Sequence, residues 1–306
     1  MQYIRQIRAV LTQTESGIFV PTGSEQDSTG YDSTTFPSIK QQAERIESLF
    51  ATNGVSLRTG CGLAQIVKQT NDVVDCWSKD NKANISSDIL TLKIAHFNRI
   101  ADAILRLETI PDCREYLHRL TDGIIDNITP GCSVAKNTLW ELELWSTMVK
   151  RGVMARLLDP PDIVMTIDNF EIAVACKKLY SEKHVQNILS EAVRQICLAS
   201  NFGVVALNID ELGAAGNFFD CNSFAQATDA LDRMNQTFLA KHERHLRKYL
   251  ADERIVGALV SSGCVADLRQ EKPRLNFARM NTIWCLPDIS EAKKRCLLAL
   301  QKAFYN

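Results

Sequence analysis

Glu141, Asp162 and Lys177 are the residues of this chain whose types and spacing point to chemistry. Two carboxylates and a lysine suit metal-assisted attack of water on a phosphodiester. A hard divalent cation such as Mg²⁺ or Mn²⁺ takes oxygen ligands, usually one or two carboxylates completed by water and phosphate. The bound ion polarises the phosphate and lowers the pKa of a bound water. A nearby lysine holds that water and offsets charge that develops in the transition state.

Each of these residues needs an element to position it. A helix is expected over about Asn137 to Arg151, ended by Gly152. Its apolar stripe is Leu142, Trp145, Met148 and Val149 at about 100° per residue. Glu141 falls inside that stripe and Glu143 outside it. A carboxylate on a buried face needs a cation to satisfy it; the bland alternative is a half-exposed residue at the rim. Asp162 follows Pro160-Pro161 and opens a strand that runs to Ile167. Asp168-Asn169 makes a tight turn, and Phe170 to Cys176 returns as the paired strand. Along it Ala173, Ala175 and Lys177 share one face, and Ile172, Val174 and Cys176 the other. Position 175 and Lys177 thus stand beside Asp162. Cys176 is turned away, which counts against it as a nucleophile. Read singly, Pro-Asp is a common turn pair, and Lys177-Lys178 an ordinary solvated strand end.

Taken jointly, the pattern resembles the PD-(D/E)XK nuclease superfamily, above all its Holliday-junction-resolvase-like and restriction-endonuclease-like branches. Glu141, eleven residues before Gly152, matches the helix carboxylate. Asp162 matches the aspartate of the Pro-Asp motif, and Lys177 the lysine. The acidic motif position falls at residue 175, thirteen residues after Asp162. The resemblance covers about 137–210 well, 211–306 as a continuation, and 1–130 not at all. It implies an α/β fold with a mixed-sheet, restriction-endonuclease-like core over 131–306. It implies a Mg²⁺- or Mn²⁺-dependent DNA endonuclease of the restriction, repair or anti-phage defence kind. The catalytic positions would be Glu141, Asp162, Ala175 and Lys177, and the metal set Glu141, Asp162 and Cys176. Lys178, Ser181, Lys183 and Gln195, around and along the helix that follows, would contact nucleic acid.

Ala175 is the departure, because alanine offers no ligand. Metal affinity and water activation should fall with it. Three explanations are open: an engineered Glu-to-Ala change, a naturally inactive relative that binds without cutting, or substitution by Glu171. The last is weakest, since Glu171 lies about 13 Å back along the strand. The completeness of the other elements favours the first. The alternative function is therefore an inactive nuclease-like module that binds nucleic acid or scaffolds a complex.

The rest of the chain sets the context. Net charge is −1, so any nucleic-acid surface must be local. Ten cysteines lie without CxxC pairs and read as free thiols. No stretch is long and apolar enough to span a membrane, and no signal peptide is read at Met1 to Arg5, so a cytoplasmic protein is expected. Residues 15–37 read as a polar arm. Helices are expected from Ser38 (capped with Gln41), over Leu63 to Trp77, Ser87 to Leu107 and Cys113 to Ile125. Residues 1–130 are expected to form a helical domain for a protein partner, self-association or sensing, with a boundary at Thr129-Pro130-Gly131. Beyond it come a helix to Ser200, a buried strand Gly203 to Asn208, a helix Ser223 to Tyr249, strands Ile255 to Val260 and Thr282 to Leu286, and a last helix from Ser290. The basic run Lys241 to Lys248 suits a phosphate groove, or more simply a solvated helix face.

Overall fold

The computed structural model describes residues 12–14, 17–26, 36–78, 87–126, 129–200, 202–213, 218–271, 275–286 and 289–305. The expectations for Met1 to Arg5 and for 15–16 and 27–35 of the polar arm lie outside the described residues. The architecture is α/β. Among the described residues nine strands form one mixed sheet, with eight in the order β1 (Thr12–Thr14), β2 (Gly17–Gln26), β9 (Leu275–Cys285), β8 (Gly257–Leu268), β6 (Gly203–Asn208), β5 (Phe170–Lys178), β4 (Asp162–Ile167), β3 (Met154–Leu158) and β7 (Phe218–Cys221) beside β8.

The middle of the chain builds the part that carries the motif residues. Helix α5 (Val134–Lys150) starts at Ser133, whose Oγ accepts from the Lys136 N–H. It is followed by strands β3 (Met154–Leu158), β4 (Asp162–Ile167) and β5 (Phe170–Lys178) as an antiparallel meander. Helix α6 (Val185–Ala199) then crosses to β6 (Gly203–Asn208), which runs parallel to β5. Strand β3 was not expected. Met, Ala, Arg and Leu in it favour helix, and pairing with β4 overrides that preference.

The second half lengthens what the sequence suggested. Strand β8 is Gly257–Leu268 and β9 is Leu275–Cys285, antiparallel to each other. Ser261-Ser262-Gly263 has the composition of a turn, yet it continues the strand because its polar groups find buried partners. β6 pairs with β8 from Gly257 to Ser261, and β7 (Phe218–Cys221) takes over from Val265. Helix α7 (Phe224–Ala251) lies on β8 and β9, and Asn235 Nδ2 donates to the Met280 carbonyl and to Thr282 Oγ1. Helix α8 (Glu291–Tyr305) is the last described element.

The expected all-helical first part needs correction at its start. β1 (Thr12–Thr14) and β2 (Gly17–Gln26) extend the sheet, β2 pairing with β9. The Ile18-Phe19-Val20 run outweighs the surrounding Gly and Ser, and the register shifts between Pro21 and Ser24, where proline cannot donate. Helices α1 (Phe36–Thr52), α2 (Gly62–Ser78), α3 (Ser87–Leu105) and α4 (Arg114–Leu120) follow. Ser38 sits inside α1 rather than capping it. Ile39, Ala43, Ile46 and Phe50 are buried, as their spacing predicts. One apolar cluster runs from these residues through Phe97, Leu139 and Val205 to Leu300, across the boundary drawn at residue 130. Among the described residues no helix is long and apolar enough to cross a membrane.

At Gly203 helix α6 packs tightly on the sheet. A Cβ there would sit 2.0 Å from Ile196 Cγ2 and 3.2 Å from the Ala173 carbonyl oxygen. Gly203→Ala should therefore lower stability by about 1–3 kcal/mol, the usual cost of overpacking. Urea unfolding checks this; an unchanged midpoint contradicts the packing described.

Candidate functional site

The β4–β5 register sets the site. Ile163 pairs with Val174, so one step further Asp162 comes level with Ala175. Asp162 has φ +98°, a region that non-glycine residues rarely adopt. Its Oδ2 accepts the Cys176 N–H at 2.6 Å, which fixes it against β5. Asp162 is 6% exposed and Ala175 is fully buried.

Glu141 reaches this place from α5 and is also 6% exposed. Arg119 of α4 meets it: Nη2 donates to both Oε1 and Oε2 at 2.8 Å, while Nη1 donates to Asp159 Oδ2 at 3.2 Å. Burial raises Glu141 to about 8, and the Asp162 charge adds to this while Arg119 opposes it. Burial raises Asp162 to about 7, against the Cys176 N–H and the Lys177 charge. Three carboxylates share one guanidinium and the fringe of one ammonium, so the cluster is short of positive charge.

Lys177 turns to the α6 side, where Nζ pairs with Glu191 at 3.1 Å. It acts on Asp162 only through its charge. The Cys176 thiol is raised by burial and then by the charges of Asp162 and Glu141.

The expected nucleic-acid contacts separate. Ser181 and Lys183 are exposed, Ser181 Oγ accepting the Lys183 N–H at the short 3-10 turn before α6. Gln195 is half-buried. Lys178 must be withdrawn from that set. It is buried on the opposite side from Lys177, and Nζ donates to Asn208 Oδ1 at 3.1 Å. The basic run of α7 is partly neutralised at home: Lys241 and His242 pair with Glu182 at 2.5 and 2.9 Å, and Arg247 with Glu243 at 3.1 Å.

A second cluster escaped the sequence analysis. Glu143, placed outside the apolar stripe, is held by Arg99 at 2.8 Å and Arg279 at 3.1 Å. Arg279 also reaches Asp210 at 3.1 Å, and Lys178 lies 3.9 Å from the same carboxylate. Asp210 Oδ1 accepts the Gly263 N–H at 2.7 Å. Burial would raise Asp210, yet Arg279, Lys178 and Arg99 hold it well below the ordinary carboxylate range. Burial lowers Lys178 to about 8, with Asp210 opposing. Its members come from α3, α5, the end of β5, the residues after β6 and the middle of β9, so no local pattern in the sequence marks it.

The fit to a divalent cation fails on the residues present. Both Glu141 oxygens accept from Arg119, Asp162 Oδ2 is taken by a backbone N–H, and Ala175 supplies nothing. Among the described residues no group of three or more His, Cys, Asp or Glu is placed to hold a metal. No protein-family model, curated protein or solved structure matches the chain.

Two outcomes follow. The folded state holds protons on Glu141 and Asp162 more tightly than the unfolded chain does. Their contribution is complete below the ordinary values of 4.5 and 3.8 and is lost as pH rises through about 8 and about 7. His96, pushed by burial down to about 3, acts in the opposite sense below pH 6.5. The stability advantage of the parent over Glu141→Gln should accordingly shrink from pH 5 to 8 in thermal melts; a constant difference contradicts the assignment. Asp210→Ala strands buried cations and should cost about 3–5 kcal/mol in denaturant unfolding.

Proposed function

We propose that this chain is a nuclease-like protein of the PD-(D/E)XK type that holds DNA without hydrolysing it, cleavage belonging to a form with an acidic residue at 175. The observation that carries the reading is the β4–β5 register, which sets Asp162 level with Ala175. A carboxylate at 175 would stand beside Asp162, with Lys177 two positions on. The two acids would then supply oxygen ligands without drawing on Glu141, which Arg119 occupies. The helix–strand–strand–strand–helix–strand order from α5 to β6 supports the restriction-endonuclease-like assignment of this part of the fold. The positive φ of Asp162 supports it too, since strained backbone concentrates at functional positions. Ser181 and Lys183, exposed just before α6, are a polar and a cationic group close in sequence to Lys177 and suit a phosphate backbone.

The test compares this chain with Ala175→Glu on linear and supercoiled DNA in Mg²⁺ or Mn²⁺. The parent should bind DNA at low salt, lose affinity as salt rises, and leave the DNA intact. Ala175→Glu should nick it, and adding Asp162→Asn should stop the nicking. Binding by both with cutting by neither would remove the nuclease relationship and leave a DNA-binding module. Binding by neither would overturn the proposal.

A further inference from the structure

The resemblance asks for a divalent cation between the acids, and the residues present do not accommodate one. What stands among them instead is the head of Arg119. Nη2 lies 2.8 Å from both Glu141 oxygens, and Nη1 lies 3.2 Å from Asp159 Oδ2. Its side chain is one-fifth exposed, whereas that of Glu141 is almost wholly enclosed. The guanidinium therefore bridges the α5 carboxylate to the carboxylate three residues before Asp162, and it comes from α4, an element with no part in the motif. We propose that Arg119 is a built-in cation that takes the place of the divalent metal, making the acidic cluster of this chain a closed, metal-independent ion site.

Three physical points carry this. Arginine keeps its charge at any working pH and presents several N–H groups to planar carboxylates. It occupies both oxygens of Glu141, each of which accepts from Nη2. A metal approaching Glu141 would meet a like charge within contact distance, in half-buried surroundings that screen it less than bulk water does. The loss of a ligand at 175 and the presence of Arg119 are then two halves of one arrangement: the metal has lost a donor, and the remaining anions have gained a resident partner. The inference rests on reading 141, 162 and 177 as a nuclease-type set only in naming which ion is replaced.

The experiment is a Mn²⁺ titration of the whole protein by electron paramagnetic resonance, in which bound Mn²⁺ leaves the free-ion signal. No DNA is present, so failure of the DNA-cleavage test and failure here are separate results. The parent should show no saturable binding up to millimolar Mn²⁺. Arg119→Ala should bind at least about ten-fold more tightly, the scale on which the partners of a ligand move metal affinity. Millimolar guanidinium should displace that Mn²⁺, because both cations seek one place. Arg119→Lys, which keeps a charge, should behave as the parent. Where Arg119→Ala does not fold by circular dichroism, Arg119→Gln carries the same expectation. Tight binding by the parent, no gain in the folded charge-free variant, or Mn²⁺ that guanidinium does not displace would each overturn the proposal.

Discussion

Asp210 is the tie on which the sheet depends. β6 stops pairing with β8 at Ser261 and β7 begins at Val265, which leaves a gap along the edge of β8. Asp210, the second residue after β6, fills it by accepting the Gly263 N–H. The same carboxylate gathers Arg279 from β9, Lys178 from β5 and Arg99 from α3, and Glu143 of α5 closes the circuit. A buried charge unpaired is costly, so these elements must meet in one arrangement. That arrangement fixes α5 on the sheet, and thereby fixes where Glu141 stands.

The two charged clusters on α5 behave differently. Around Asp210 the cations prevail, the carboxylate stays ionised, and the groups lock structure. Around Glu141 and Asp162 the carboxylates outnumber the cations, and burial drives both acids upward. Arg119 is the cation resident among them, and its charge offsets only part of the cost of burying the two acids. Glu141 and Glu143, two residues apart on one helix, therefore belong to different kinds of site.

Local patterns in the sequence carried much of this. The helical spacing of Ile39, Ala43, Ile46 and Phe50, the Asp168-Asn169 turn between β4 and β5, and the apolar run of β6 each followed from short-range rules and appear in the fold. What stayed hidden depends on partners distant in the chain. Strand β3 has helix-favouring residues and exists because β4 is there to pair with it. β8 runs through Ser261-Ser262-Gly263 because Arg279, Leu231 and Asp210 satisfy its polar groups. Lys178 looked like a surface lysine because its partner, Asp210, is 32 residues away. Arg119 was illegible for the same reason: nothing near it in the chain announces Glu141. The placement of Asp162 level with Ala175 was legible, because the Asp168-Asn169 turn sets the β4–β5 register.

The central claim is that position 175 completes a site with Asp162 and Lys177. Its most direct measurement is single-turnover nicking of supercoiled DNA in Mn²⁺ by Ala175→Glu, set beside Ala175→Glu with Lys177→Ala. The account predicts cutting by the first and a loss of at least about 100-fold in the second, the scale of a lost electrostatic contact to the transition state. Equal rates in the two proteins, or no cutting by either, would contradict it.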